Sequence, residues 1–195
     1  AKVRQKKSGK PQSVTCVDKS NVTRGCQLFR KIFREFADSN QDIAVKEAYI
    51  DAFTMWLVRN PEDLDIVVLP NMFGDIATDL ASVLQGGMGM SASANMGPRH
   101  MLFEPVHGSA PKHAGKNIVN PIAMIQSVQM MFEALGFRKK DETLDICAEI
   151  LQNAIRGHFE EGSPVTYDLG GTASTSDVGE AIADRCERML KERFQ

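Results

Sequence analysis

Leu64-Asp65-Ile66-Val67-Val68-Leu69-Pro70-Asn71-Met72-Phe73-Gly74-Asp75-Ile76-Ala77-Thr78-Asp79 is the stretch on which the fold turns. Its first six residues are almost entirely apolar, as expected of a strand covered on both faces. Pro70-Asn71 turns the chain, and a helix follows. Asp75 and Asp79 lie four residues apart and so share one helix face. Phe73, Ile76, Ala77, Leu80 and Ala81 surround them, where ordinary solvated acids are out of place. Two close negative charges need a counter-charge, and a divalent cation is the simplest one. The segment reads as strand, turn and metal-bearing helix, and so as part of an enzyme.

Outward from this unit the same alternation continues. Val14-Thr15-Cys16-Val17 reads as a short buried strand. Asn21 to Ala37 reads as a helix, with Val22, Leu28, Ile32, Phe33 and Phe36 at helical spacing. Ile43 to Ile50 reads as a strand leading into a helix from Asp51 to Arg59, which Asn60-Pro61 stops. Gln85-Gly86-Gly87-Met88-Gly89 breaks the Asp75/Asp79 helix, and Ser91 to Gly97 is a small, polar connection. Met101 to Val106 is a short strand, and His107 to Asn117 a loop. Asn120-Pro121 offers a capping side chain and a first-turn proline for a helix reaching Leu135. Its Met124, Met130 and Met131 read as core filler. Asp141 to Phe159 and Ser176 to Phe194 are two further helices. Strands alternating with helices define an α/β architecture.

With 195 residues, the chain is one generous domain or parts of two. A net charge of −2 argues against bulk nucleic-acid binding. No apolar run approaches the roughly 18 residues of a membrane span. Cys16, Cys26, Cys147 and Cys186 show no Cys-x-x-Cys pairing, which fits reduced structural thiols in the cytoplasm or an organelle matrix. Ala1 to Lys10 carries Lys2, Arg4, Lys6, Lys7 and Lys10. It reads as a helix end and solvated loop feeding the strand at Val14, rather than a basic arm or transit peptide. The missing initiator Met suggests a fragment or processed piece.

Further candidate residues cluster at strand ends, where ligands gather in open α/β sheets. Lys19, in Val17-Asp18-Lys19-Ser20-Asn21, is placed to act as a general base if a nearby metal lowers its pKa. Asp51 is a third carboxylate at a second strand-to-helix junction, where the plain alternative is an N-cap. Such oxygen ligands suit Mg²⁺ or Mn²⁺. The loop from Glu104 to Lys116 is rich in small residues, and its Lys112, His113 and Lys116 suit a phosphate. There is no Gly-x-Gly-x-x-Gly fingerprint, so a standard Rossmann reading fails.

Together these segments resemble the β-decarboxylating dehydrogenases, the isocitrate and 3-isopropylmalate dehydrogenase family. The matching stretches are Val17 to Val22, Tyr49-Ile50-Asp51-Ala52, Asn71 to Asp79, Phe103 to Gly115, Asn120-Pro121-Ile122-Ala123 and Tyr167-Asp168-Leu169-Gly170-Gly171-Thr172. The resemblance implies an isopropylmalate dehydrogenase-like fold, incomplete at the N-terminus, with two domains of mixed sheets flanked by helices. Residues 1–85 would belong to the small, dimer-forming domain and 86–195 to the large, cofactor-binding domain. It implies that Lys19 is the catalytic lysine, and that Asp51, Asp75 and Asp79 bind metal. Lys19 and Asp51 would serve the active site of the partner subunit in a homodimer. Asn21 would lie near the nicotinamide and substrate. His107, Gly108, Ser109, Ala110 and Asn120 would hold the adenosine part of the cofactor.

Lys112, His113 and Tyr167 resemble the NADP-using isocitrate dehydrogenases, whereas NAD users have an acid at position 112. The arginine of that group is replaced by Gly171, and Leu169 to Thr172 looks like the isopropylmalate branch. The balance favours NADP over NAD, and isocitrate slightly over 3-isopropylmalate. The resemblance also implies that the segment gripping the substrate, and the usual catalytic tyrosine, lie outside this chain, which alone would be inactive. A non-catalytic regulatory subunit is the competing reading, disfavoured by the presence of Lys19, Asp51, Asp75 and Asp79.

Overall fold

The computed structural model describes residues 1, 2, 5, 9 and 12–194. Most of the basic N-terminal stretch, including Arg4, Lys6, Lys7 and Lys10, lies outside the described residues. The chain divides into two compact units, Ala1–Leu84 and Gln85–Gln195.

In the first unit, β1 (Ser13–Asp18), β2 (Ala44–Tyr49) and β3 (Ile66–Val68) form a parallel sheet in the order β2-β1-β3. Its helices are α1 (Arg24–Asp38), α2 (Ile50–Arg59) and α3 (Asn71–Leu84). Strand side chains alternate between faces. Val17 and its neighbour Ala48 pack with Phe53 and Leu57 of α2 and Ala77 of α3. Asp18 points to the other face and meets Arg30 of α1. β3 is half-buried along its length rather than covered on both faces.

α1 starts later than its sequence suggests, because Thr23 caps it by accepting from the Cys26 amide. Its inward face is Cys26, Phe29, Arg30, Phe33 and Ala37. Of the expected apolar positions only Phe33 lies on that face, while Val22, Leu28, Ile32 and Phe36 are exposed. The cause is the pairing of Arg30 with Asp18, which sets the helix rotation. Leu28 and Ile32, each two residues from Arg30, are then turned about 200° away.

In the second unit, β4 (Ala92–Met96) and β5 (Met101–Pro105) form an antiparallel pair, with Ala94 opposite Phe103. β4 replaces the polar connection expected at this point, because backbone pairing with β5 overrides its weak intrinsic preference. The helices are α4 (Ile122–Lys139), α5 (Glu142–Glu160) and α6 (Thr175–Phe194). Their core joins Ile122 of α4, Ala154 and Ile155 of α5, and Val178 and Ile182 of α6, with Met90 from the preceding turn. The methionines of α4 are not its core face. Met124 is exposed and Met130 and Met131 are half-buried, whereas Ile122, Ala123 and Ser127 point inward. Sheets flanked by helices bear out the α/β expectation. Among the described residues no helix is long and apolar enough to cross a membrane.

Candidate active site

A cavity of about 720 Å³ opens in the second unit, within the size range of small-molecule and cofactor sites. The loop after β5 lines it with His107, Gly108, Ser109, Ala110 and His113, and Asn120 and Tyr167 complete those walls. The rings of His113 and Tyr167 stack with centroids 6.0 Å apart and planes at 29°. Ala110 takes a left-handed conformation just before a single turn, Pro111–His113. Asn117 ties the end of this loop to α6. Its carbonyl accepts from the Thr175 amide and its side chain from the Ser176 amide and hydroxyl. Two expected cofactor residues are not among those that line the cavity. Lys112 is exposed on the turn and does not line it, and Asn21 belongs to the first unit.

The floor is built around Asn120, which is buried at the start of α4. Its Oδ1 accepts from the Ile122 amide, the capping role read from the sequence. Its Nδ2 donates to Asp168 Oδ2 at 3.1 Å and towards Met90 Sδ. Asp168 also accepts from the Thr166 hydroxyl, so its carboxylate is held from two sides. Gly89 packs directly on this group, since a β-carbon there would lie 2.6 Å from Asp168 Oδ2. Asp168, the turn from Gly86 to Gly89, Asn117 and Thr175 all line the cavity and were not expected to. The Gly86-Gly87-Met88-Gly89 run was the available signal, hidden because it follows a helix instead of a strand.

The first unit holds the remaining expected residues. Lys19 Nζ lies 2.5 Å from Asp51 Oδ1. Asp51 is not the N-cap of α2. Tyr49 holds that position, and Asp51 sits in the first turn. The Lys19 hydrogen bond, helped by backbone amides of that turn, keeps the Asp51 carboxyl below its ordinary pKa. Asp75 and Asp79 lie four residues apart on α3, and both are exposed. Their apolar neighbours do not bury them. Ile76 itself is exposed, and only Ala77 of those neighbours is buried. Asp75 Oδ2 accepts from the Asn71 side chain at 3.0 Å. Among the described residues no lysine or arginine pairs with either acid. Nor do three metal-ligating side chains cluster anywhere among the described residues.

The α/β chain thus carries a cavity of cofactor size, a lysine at a strand end, and two exposed carboxylates with no lysine or arginine partner among the described residues. The comparison with known proteins gives the class. Residues 2–182 match the isocitrate/isopropylmalate dehydrogenase family. The 3-isopropylmalate/3-methylmalate dehydrogenase of Methanocaldococcus jannaschii is 42% identical over 183 residues, covering 93% of this chain and 52% of that protein. The homoisocitrate dehydrogenase of the same organism is 40% identical, covering 92% of this chain and 50% of that protein. The crystal structure of isocitrate dehydrogenase from Methylococcus capsulatus superposes with a TM-score of 0.83 at 38% identity, over 94% of this chain and 53% of that one. The chain belongs to the isocitrate/isopropylmalate dehydrogenase family. It spans about half the length of the relatives it matches.

Proposed function

We propose that this chain supplies the metal- and nucleotide-binding half of a dehydrogenase that oxidises and decarboxylates a 2-hydroxy acid of the 3-isopropylmalate class. The observation that carries this reading is the presence, in one chain of this family, of the Asn120-floored cavity and of two carboxylates with no cationic partner among the described residues. The isocitrate preference read from the cofactor residues gives way, because the 42%-identical relative acts on 3-isopropylmalate and 3-methylmalate.

Asp75 and Asp79 fit a hard divalent cation: both are exposed, offer carboxylate oxygens from one helix face, and have no competing lysine or arginine among the described residues. When bound, Mg²⁺ or Mn²⁺ supplies Lewis-acid stabilisation of negative charge on the substrate oxygens. Asp51 is committed to Lys19 in its own chain, which supports a site completed by a second copy. In that arrangement Lys19, as the neutral amine, takes up the proton of the substrate hydroxyl, and Asp51 stabilises the ammonium so formed.

The cavity fits the adenosine end of a nicotinamide dinucleotide, with the His113–Tyr167 stack on one wall and Asp168 fixed on the floor. The nicotinamide supplies the hydride acceptor. Lys112, exposed beside His113 and without an ion pair among the described residues, favours the 2′-phosphate of NADP. Gly171 adds no cation, and its backbone leaves no room for one, since a β-carbon would lie 2.0 Å from the Val165 carbonyl oxygen.

The decisive test uses the product of the complete reading frame. It is given Mn²⁺, NADP or NAD, and in turn 3-isopropylmalate, isocitrate, homoisocitrate and tartrate, while reduced nicotinamide is followed by absorbance. Turnover is expected with 3-isopropylmalate, faster with NADP. Absence of reduced cofactor with every acid would overturn the reading. Unchanged metal affinity in Asp75→Asn would point instead to a regulatory subunit.

A further inference from the structure

Arg30 of α1 joins the ends of two strands. Its Nε donates to Asp18 Oδ2 at 2.7 Å and its Nη2 to Asp18 Oδ1 at 2.9 Å, a two-pronged contact. The same Nη2 also donates to the carbonyl oxygen of Ala48 at 2.9 Å. Asp18 is the last residue of β1, is 0% exposed, and accepts from the Ser20 amide at 2.7 Å. That bond shapes the turn on which Lys19 sits. Ala48 immediately precedes Tyr49 and the first turn of α2, which bears Asp51. The Tyr49 ring is shared: the Arg30 guanidinium carbon lies 4.9 Å, and Lys19 Nζ 5.9 Å, from its centroid. Both members of the Lys19–Asp51 pair thus hang from backbone that one guanidinium ties together.

We propose that Arg30 is a positioning residue, which acts through Asp18 and the Ala48 carbonyl to hold Lys19 against Asp51. Side chains that carry chemistry need supporting contacts to fix them within a fraction of an ångström. Among the described residues, the support that Lys19 and Asp51 have of their own is weak: the amides of the Asp51 turn and the Tyr49 ring 5.9 Å from Lys19 Nζ. The side chain of Asp51 is 67% exposed and that of Lys19 26% exposed, and an exposed ion pair by itself holds geometry weakly. Arg30 is the contrasting case, since its 12%-exposed side chain grips a wholly buried carboxylate. Asp18 would rise in pKa through burial alone, but the Arg30 and Ser20 hydrogen bonds hold it below the ordinary value, so the tie is charged at neutral pH. Arg30 Nη1 also lies 3.4 Å from Glu47 Oε2, a carboxylate that Arg34, one turn further along α1, holds on both oxygens; among the described residues Arg34 bonds neither Asp18 nor Ala48, so it provides the control.

The role of this tie in turnover rests on Lys19 being the catalytic lysine, but its geometry is testable without turnover. The chain is treated with an acetylating N-hydroxysuccinimide ester, and the rate at each lysine is read by peptide mass spectrometry, with exposed Lys140 as reference. Lys19 is expected to react more slowly than Lys140, and Asp51→Asn should raise its rate about two- to five-fold, the size expected of an exposed ion pair. Arg30→Gln leaves Asp18 buried and unpaired, which can prevent folding. The double variant Asp18→Asn/Arg30→Gln removes both charges and keeps hydrogen-bonding groups. With circular dichroism unchanged, it should release Lys19 to the Asp51→Asn rate, while Arg34→Gln leaves it slow.

Should the double variant fail to fold, Arg30→Lys retains a charge beside Asp18 but cannot span Asp18 and Ala48 together, and the same release is expected. A folded variant whose Lys19 keeps the wild-type rate would overturn the proposal, as would a wild-type Lys19 as fast as Lys140. In the complete protein, Arg30→Lys should lower kcat with little change in the KM for nucleotide. No turnover in the unmodified complete protein would remove the catalytic reading and leave the labelling result standing.

Discussion

At Gly171 the Val165 carbonyl oxygen leaves no space for even a methyl group. The loop closes there through the Gly171 amide to the Thr166 carbonyl and the Ala173 amide to the Val165 carbonyl, both at 3.0 Å. Gly171→Ala should therefore destabilise the chain by about 1–3 kcal/mol, the usual cost of overpacking, read as a lower urea midpoint at unchanged slope. His158 offers a second, pH-dependent prediction. It is wholly buried, and burial lowers its pKa, with nearby Arg185 adding to the effect and the bond to the Pro164 carbonyl opposing it. The unfolded histidine, with pKa about 6.5, then takes up a proton before the folded one. Stability should fall as pH drops below about 6.5 towards the depressed folded value, and His158→Gln should flatten that dependence in denaturation curves. Residue roles were unevenly legible in the sequence. The capping asparagine at 120 was readable from Asn-Pro before an apolar run. The clamp it forms on Asp168 was not, because it joins positions 48 residues apart.

α4 shows how one side chain serves an element and a cavity together. Asn120→Ala removes the cap from its first turn, a loss of about 0.5–2 kcal/mol. The same change frees Asp168 from one of its two partners, so thermal melting and adenosine titration by calorimetry should both move in the weakening direction. Asn120→Asp restores the cap but places a second acid beside Asp168, and should rescue melting without rescuing nucleotide affinity. Element type was readable wherever apolar periodicity was strong, as in β1, α3 and α5. It was lost in β4, where Ala-Ser-Ala-Asn-Met has no strand preference and only its partner strand decides. The inward face of α1 was lost for another reason: a charged residue, Arg30, sets the helix rotation, and periodicity counts only apolar positions.

Across the whole molecule, the first unit leaves Met55 and Val58 of α2 and Met72, Ile76 and Val83 of α3 exposed, on the helices that carry Asp51 and the Asp75/Asp79 pair. That pattern supports the proposed second copy. In the complete protein, Lys19→Ala and Asp75→Asn subunits should each be inactive alone. Random mixing of the two makes half the dimers mixed, each with one intact site of two, so about a quarter of wild-type activity should return. No recovery on mixing would mean that each chain builds its own site. Six separated motifs in one order made the family legible from sequence, whereas the substrate was not, since relatives 42% and 40% identical to this chain are named for different acids. One consequence reaches beyond the chemistry. The boundary at Leu84 and Gln85 puts every residue lining the cavity on one side and Lys19, Asp51, Asp75 and Asp79 on the other. Under the proposed function, coenzyme choice and proton handling would be inherited separately. A chimaera spliced at that boundary with an NAD-using relative should adopt the donor's coenzyme and retain its own metal requirement.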